Sequence, residues 1–180
     1  MKIYVALFRG INVGGKNILP MKELVAVLQD LGARNVKTYI QSGNAVFESE
    51  EKNLVRLSKK ISAEIQKRRG FAPYVLLLEL ADIEKAIAKN PFLDAENNPQ
   101  SLHVGFLAGA PQNPDLKALD SRKKGSERFH LIDSVFYLQA PEGVGRSKLA
   151  ANAEKLLGVP MTDRNWSTVC KILEMAKELR

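Results

Sequence analysis

Three separate segments of the chain place basic side chains beside glycines, amides or hydroxyl groups, a combination suited to binding an anion. The segment 9–17 has the sequence RGINVGGKN, the segment 141–148 is PEGVGRSK, and the segment 162–168 is TDRNWST. Glycines allow a ligand to approach the backbone closely, and backbone N–H groups beside Arg or Lys attract negative charge. A glycine-bearing turn at 42–44 adds further amides. We therefore expect these segments to supply ligand contacts.

The first segment resembles a phosphate-binding P-loop but departs from it. Gly10 to Lys16 spells G-x-x-x-x-G-K between a predicted strand and a predicted helix. Asn17 stands where the motif needs Ser or Thr to bind Mg²⁺, and the helix signals begin only at Pro20. Two interpretations therefore stay open. The segment is either a glycine-rich turn with positive φ angles or a loop whose N–H groups and basic side chains meet an anion.

The second segment has the chemistry best suited to an anion. Ser147 is a natural N-cap, and the N-terminus of the helix that follows it bears a partial positive charge. Arg146 and Lys148 add full charges, while Gly143 and Gly145 leave the backbone accessible. The alternative is that Ser147 only caps its helix and that the basic side chains are solvated.

The third segment surrounds the only tryptophan with polar groups, just before the last predicted helix. Capping by Thr162 or Asn165 would explain some of these groups, and Trp166 is typical of a core position. Arg164 either contacts a ligand or pairs with Asp163 or an inter-unit carboxylate in a structural role. Both roles remain open from the sequence.

A basic cluster lies on one predicted helix, 51–69, where only Glu51 and Glu64 oppose it. A solvated charged face is the default for such a run, and contact with a phosphate backbone is the alternative. The cluster consists of Lys52, Arg56, Lys59, Lys60, Lys67, Arg68 and Arg69.

Composition narrows the class of protein. The chain has 180 residues, 45% of them hydrophobic, and a net charge of +7, which attracts anionic molecules. Its single cysteine, Cys170, excludes an internal disulfide and predicts a reducing, cytoplasmic location, with the thiol buried as a small hydrophobic group or, alternatively, reactive. His103 and His130 show no metal-ligand spacing, so neither a metal nor a cofactor is predicted. No run reaches the ~20 apolar residues of a membrane span.

Hydrophobic periodicity predicts the order β-α-β-β-α-β twice, without a detectable sequence repeat. The predicted fold class is α+β, with two ferredoxin-like (split βαβ) units packed together over 1–80 and 81–180 and an extra C-terminal helix. The first unit is expected to have strands at 2–9, 36–41, 45–48 and 74–80 and helices at 20–31 and 51–69. The second is expected to have a short helix at 83–89, strands at 102–108, 128–133 and 135–139, a strand stub at 159–161, and helices at 114–120, 148–157 and from 166 onward.

Several of these segments also carry a family resemblance. The motifs are LFRGINVGG (7–15), YIQSGNAVF (39–47), NPF (90–92), GVGRSKL (143–149) and RNWSTV (164–169). They resemble the bacterial domain-of-unknown-function family 1697. The resemblance implies two ferredoxin-like units in a bacterial cytosolic protein, and it implies no activity or catalytic residues. The family often has a small or apolar residue where this chain has Asp163, which weakens an anion contact at that motif here.

The leading hypothesis is binding, with or without enzymatic turnover, of a small anionic or phosphorylated ligand at loops between the two units. One alternative is a nucleic-acid-associated module that uses the helix 51–69, and another is a structural or protein-partner-binding module. No catalytic residue, metal ligand or membrane contact is predicted, and the oligomeric state is left open. The predicted ligand contacts are Arg9, Asn12, Lys16, Gln41, Asn44, Arg146, Lys148 and Arg164.

Overall fold

A computed structural model describes residues 1–180 and shows an α+β chain with two four-stranded antiparallel sheets. The chain forms two compact units. One comprises Met1–Glu84 together with Lys171–Arg180, and the other is Lys85–Cys170. The domain limits expected from the sequence, 1–80 and 81–180, remain a prediction, because a compact unit need not fold by itself.

The first unit has the ferredoxin-like arrangement predicted from the sequence. Its elements are β1 (Lys2–Arg9), α1 (Met21–Asp30), β2 (Arg34–Tyr39), β3 (Asn44–Ser49), α2 (Leu54–Arg69) and β4 (Tyr74–Glu79). The sheet order is β2-β3-β1-β4, and the central strand β1 pairs antiparallel with both β3 and β4. The C-terminal end of β1 therefore lies at the same sheet edge as the β2–β3 turn, which brings the segment 10–20 next to residues 40–43.

Helix α2 illustrates how local sequence sets these boundaries. The side chain of Asn53 accepts a hydrogen bond from the N–H of Arg56 and so caps the start of the helix, which ends at Gly70 with a φ of 80°. Leu57, Ile61 and Ile65 recur every four residues and are buried against the sheet. The basic side chains consequently face away from the core.

The second unit repeats the arrangement. The sheet order is β6-β7-β5-β8, with the central β5 paired antiparallel to β7 and β8. The boundaries between the two units fall inside α3 and α6. The elements are α3 (Leu80–Ala88), β5 (Leu102–Leu107), α4 (Leu116–Arg122), β6 (Arg128–Ile132), β7 (Val135–Gln139), α5 (Lys148–Leu157), β8 (Met161–Asn165) and α6 (Trp166–Lys177), with short 3-10 turns at 93–97, 99–101 and 144–146.

Two sequence-based expectations in the second unit are wrong. Residues 162–165, expected to lie in a loop, form most of the strand β8, because pairing with β5 overrides the low strand propensity of these polar residues, whereas α6 begins at Trp166 as expected. Cys170 is exposed rather than buried. The buried face of α6 contains Trp166, Val169 and Ile172. Cys170 lies just outside this face.

Gly43, in the β2–β3 turn, tests the packing of the first unit. Its φ is 83°, and an added Cβ would lie 2.5 Å from Ile11 Cδ1 and 2.7 Å from Phe8 Cβ. We expect Gly43→Ala to lower the free energy of unfolding by about 2–4 kcal/mol, measured by urea denaturation, since it adds overpacking to backbone strain. Gly10→Ala is the control, because Gly10 has a similar φ of 78° and no atom within 4 Å. It should cost only about 1 kcal/mol, and equal losses in the two variants would contradict the packing argument.

Candidate functional site

The glycine-rich segment after β1 forms a small hairpin tip rather than a P-loop. Val13 and Lys16 form an isolated antiparallel bridge, in which the N–H of Lys16 donates to the carbonyl of Val13 over 3.0 Å. Gly14 and Gly15 occupy the turn with φ angles of 57° and 73°. Helix α1 begins only at Met21, so Lys16 lies in the bridge beside the turn and outside any first helical turn. This geometry differs from a phosphate cradle at a helix N-terminus.

Asn12 holds this segment to its neighbours. Its side-chain amide donates to the carbonyls of Leu19 and Gln41 over 2.9 and 2.8 Å, and its Oδ1 accepts from the N–H of Leu19 over 2.8 Å. The bond to Gln41 ties the segment 10–20 directly to the β2–β3 turn. Both amide hydrogens of Asn12 and one lone pair of its oxygen are therefore used in hydrogen bonds to the protein backbone.

The other predicted contacts of the first unit lie at the same sheet edge. Asn44 is buried, and its amide donates to the carbonyl of Tyr39 and to Ser42 Oγ. The side chain of Gln41 is exposed. The guanidinium of Arg9 is exposed and lies 5.4 Å from the ring centroid of Tyr74, within the range of a cation–π contact.

This edge also carries strained and exposed apolar residues. Ile40 has a φ of 50°, a rare conformation for a β-branched side chain, and is half exposed. Val13 and Ile18 are exposed as well. Backbone strain of this kind costs on the order of 1–3 kcal/mol and concentrates at functional sites, so the edge is a candidate site on physical grounds.

A shallow hollow of about 400 Å³ lies beside this edge, but most of its charge is neutralised. Arg68 pairs with Asp30 and Glu64, and Arg69 pairs with Glu23. Arg69 also donates from Nε and Nη2 to the carbonyl of Ile18. These guanidinium groups therefore hold α2 to its neighbours. The hollow is lined by Asn17, Ile18, Arg68, Arg69, Gly70 and Phe71.

In the second unit, the N-terminus of α5 is built as predicted from the sequence. Ser147 is buried and its Oγ accepts a hydrogen bond from the N–H of Ala150 over 3.0 Å. Gly143 has a φ of 93°, and the space where a Cβ would project from Gly143 or Gly145 is open. Arg146 and Lys148, on either side of the cap, are exposed and make no ion pair.

Arg164 has a different environment from the other predicted contacts. It lies in β8 opposite Val104, and its Nη1 donates to the carbonyl of Asp163 over 2.8 Å. Burial lowers the pKa of Arg164 to about 10. Thr162, two residues earlier on the same face of the strand, is buried with its Oγ1 unpaired.

The structure pairs His103 with Asp163, which sequence reasoning did not connect. His103 Nδ1 lies 2.8 Å from Asp163 Oδ2, and the imidazole is buried while the carboxylate is partly exposed. A carboxylate on Nδ1 fixes the tautomer of a neutral imidazole and leaves Nε2 as the acceptor. Only the β5–β8 register reveals this pair, because the two residues lie in distant parts of the chain.

Two ferredoxin-like units in tandem define the fold of this protein as a duplicated α+β plait. Residues 1–137 match the family described as a protein of unknown function, DUF1697, and the chain belongs to this family. The matched residues include the first-unit edge and end before the segment 141–148.

The fold has a solved counterpart. It is similar to the conserved bacterial protein SP0830 from Streptococcus pneumoniae, with 28% identity and a TM-score of 0.71, over 97% of this chain and 98% of that one. A comparison with curated proteins finds no significant match. No helix is long and apolar enough to cross a membrane, and no group of three or more His, Cys, Asp or Glu could hold a metal ion.

Asn12 and Asn17 form a matched pair for measuring how much the Asn12 side chain stabilises the contact between the segment 10–20 and the β2–β3 turn. Their φ angles are 53° and 51°, but Asn12 makes three side-chain hydrogen bonds and Asn17 makes one, to the carbonyl of Gly10. We expect Asn12→Ala to cost about 2–3 kcal/mol of unfolding free energy and Asn17→Ala about 1 kcal/mol, by chemical denaturation. Similar losses would show that the Asn12 amide does not hold the two loops together.

Proposed function

We propose that the chain binds a small anionic ligand, such as a phosphate-bearing metabolite, at the N-terminus of α5. The observation that carries this proposal is the pair of exposed basic side chains, Arg146 and Lys148, on either side of the Ser147 cap. A helix start attracts negative charge, and two unpaired cations beside it add to that attraction.

The backbone at this helix start supports the same chemistry. The first N–H groups of a helix have no intrahelical partner, and the cap satisfies only that of Ala150. Leu149 is fully buried, so the N–H of the exposed Lys148 remains as the donor for a ligand. The open space at Gly143 and Gly145 would let a phosphate group approach this N–H closely.

The local charges also favour an anion. Glu142 is the carboxylate nearest in sequence, and it pairs with Lys124 over 3.3 Å. It therefore leaves the positive charges of Arg146 and Lys148 uncompensated. A charge-assisted hydrogen bond contributes about 1.5–3 kcal/mol, so two such bonds are enough to decide whether a small ligand binds.

The remaining predicted contacts divide into two proposed roles. Arg9, Lys16, Gln41 and Arg164 stay candidates for ligand contact, whereas Asn12 and Asn44 are proposed to position loops, since their amides bond to the fold itself. Turnover of the ligand is left open. The cytoplasmic location predicted from the single cysteine is where phosphorylated metabolites are abundant.

A paired substitution tests the site at α5. We would first screen inorganic phosphate, sugar phosphates and mononucleotides by thermal shift, and then titrate the compound with the largest shift by calorimetry. Arg146→Ala combined with Lys148→Ala should weaken its binding by roughly 10- to 10,000-fold, since it removes up to two charge-assisted hydrogen bonds. Ser147 is kept, so the helix cap and the stability of the unit should be preserved.

The matched control is Arg122→Ala combined with Lys155→Ala. It removes the same two residue types from exposed positions in the second unit without touching the site. It should bind as the parent protein does. If the Arg146 and Lys148 substitutions leave binding unchanged, the two side chains are merely solvated and the proposal is wrong. If no compound shifts the melting temperature, the family function is better sought in protein partners.

A further inference from the structure

The outer face of α2 concentrates positive charge in a continuous band. Within the helix, the side chains of Arg56, Lys59, Lys60 and Lys67 fall inside an arc of about 100°, opposite the buried residues. Lys52 extends the band to the residue before the Asn53 cap. We call these five residues the basic band. From Arg56 to Lys67 the band runs for about 16 Å along the helix axis, at 1.5 Å per residue, and Lys52 lies beyond the start of the helix.

Only one carboxylate compensates this charge. Glu51 pairs with Arg56 at 2.6 Å and more distantly with Lys60 at 3.8 Å. The N–H of Asn53 and then the guanidinium of Arg56 lower the pKa of Glu51, so that carboxylate remains ionised at neutral pH. Lys52, Lys59 and Lys67 have no acidic partner and are exposed.

We propose that the basic band binds the phosphate backbone of duplex nucleic acid. A small anion could meet only one or two of the cations at once, whereas a polymer with regularly spaced charges can meet them along the whole band, about three helical turns and the residues before the cap. The proposal does not depend on the α5 site, which belongs to the other unit.

The residue types in the basic band indicate contact with a sugar–phosphate strand rather than with unpaired bases. No aromatic residue lies between positions 51 and 69, so the band cannot stack unpaired bases in the way that single-strand binders do. A shallow hollow of about 590 Å³ at its centre is lined by the stems of Arg56, Lys59 and Lys60 around Val55 and Ala63. Cations around a shallow apolar floor suit a sugar–phosphate strand, and the contact is expected to be independent of sequence.

An anionic membrane fits this face less well. An interfacial helix inserts an apolar face that contains Trp, Phe or Leu. The apolar face of α2 is occupied by the core of its own unit through Leu57, Ile61 and Ile65. On the outer face, Val55 is the one large apolar side chain that is strongly exposed.

The proposal predicts how steeply the affinity for a duplex falls with salt concentration. Three to five phosphate contacts predict a slope of about −2.7 to −4.5 for log affinity against log salt concentration. Affinity for a duplex of about 20 base pairs should then fall roughly 40- to 500-fold between 50 and 200 mM salt. Fluorescence anisotropy of a labelled duplex measures this directly. A flat profile, or no binding at 50 mM salt, would overturn the proposal.

A triple substitution locates the contact. Lys52→Gln, Lys59→Gln and Lys67→Gln together remove the unpaired cations of the band, and the slope should fall in magnitude by about 3. The control substitutes three exposed lysines outside the band, which have no ion pair: Lys22→Gln, Lys117→Gln and Lys155→Gln. Both variants lose three positive charges, so their net charges are equal. If the basic band is the binding site, only the variant within the band should lose affinity. Equal losses would mean that net charge acts without a defined site.

Two competing ligands complete the test. Vesicles rich in phosphatidylserine and a single-stranded oligomer of the same length are titrated alongside the duplex at 50 mM salt. The proposal requires the duplex to bind most tightly. Tighter binding to vesicles would assign the band to a membrane surface, and tighter binding to the single strand would contradict the duplex assignment.

Discussion

The central strand β5 imposes the strongest constraint on the second unit. All six of its residues are buried, so its backbone N–H and C=O groups are sealed from water and must find partners on both sides. β7 supplies one side, and the polar segment Met161–Asn165 supplies the other. An unpaired buried backbone group costs about as much as a lost hydrogen bond, which outweighs the low strand propensity of these residues. Pairing therefore decides the structure of β8.

That pairing also sets the electrostatic character of Arg164 and His103. The register places Arg164 opposite Val104, on a buried face, where loss of solvent disfavours its charge. Side chains alternate between faces along a strand, so Asp163 points the other way and reaches His103. One register thus gives Arg164 and its sequence neighbour Asp163 side chains on opposite faces of the strand. A shift by one residue would exchange the two environments.

Hydrophobic periodicity was sufficient to predict most of the fold from the sequence. The strand at 2–9, the helix at 148–157 and the β-α-β-β-α-β order of elements in both units agree with the structure, since burial on one face leaves a regular apolar spacing in the sequence. Periodicity failed for β8, whose residues are polar, and for Cys170, where a turn of the buried stripe by a single position changes exposure.

The candidate sites were predictable only in part. The Ser147 cap follows from local sequence, because a cap and its target N–H are three residues apart. The role of Asn12 could not be foreseen, since its bond to the carbonyl of Gln41 depends on two loops meeting at one sheet edge. The His103–Asp163 pair likewise depends on strand register. A single sequence has no local spacing pattern that reveals residues brought together only by tertiary structure.

The two basic surfaces differ in geometry although both carry exposed cations. At α5, two cations and the N–H of Lys148 surround one point, which suits a compact charge. On α2, the cations are spread along the helix, and the cap at Asn53 is already flanked by Glu51. Charge confined to a point selects a small ligand, and charge spread along a line selects a polymer. Net charge alone could not separate these cases.

The first unit is assembled from two stretches of chain that are far apart in sequence. Its sheet and main helices precede the second unit, whereas Lys171–Arg180 follow it. Lys37 pairs with Glu178 and Glu84 pairs with Arg180, so this late stretch contributes contacts to the earlier one. During translation, the last contacts of the first unit can form only after the whole second unit has been synthesised. The order of synthesis thus makes the N-terminal unit the last to be completed.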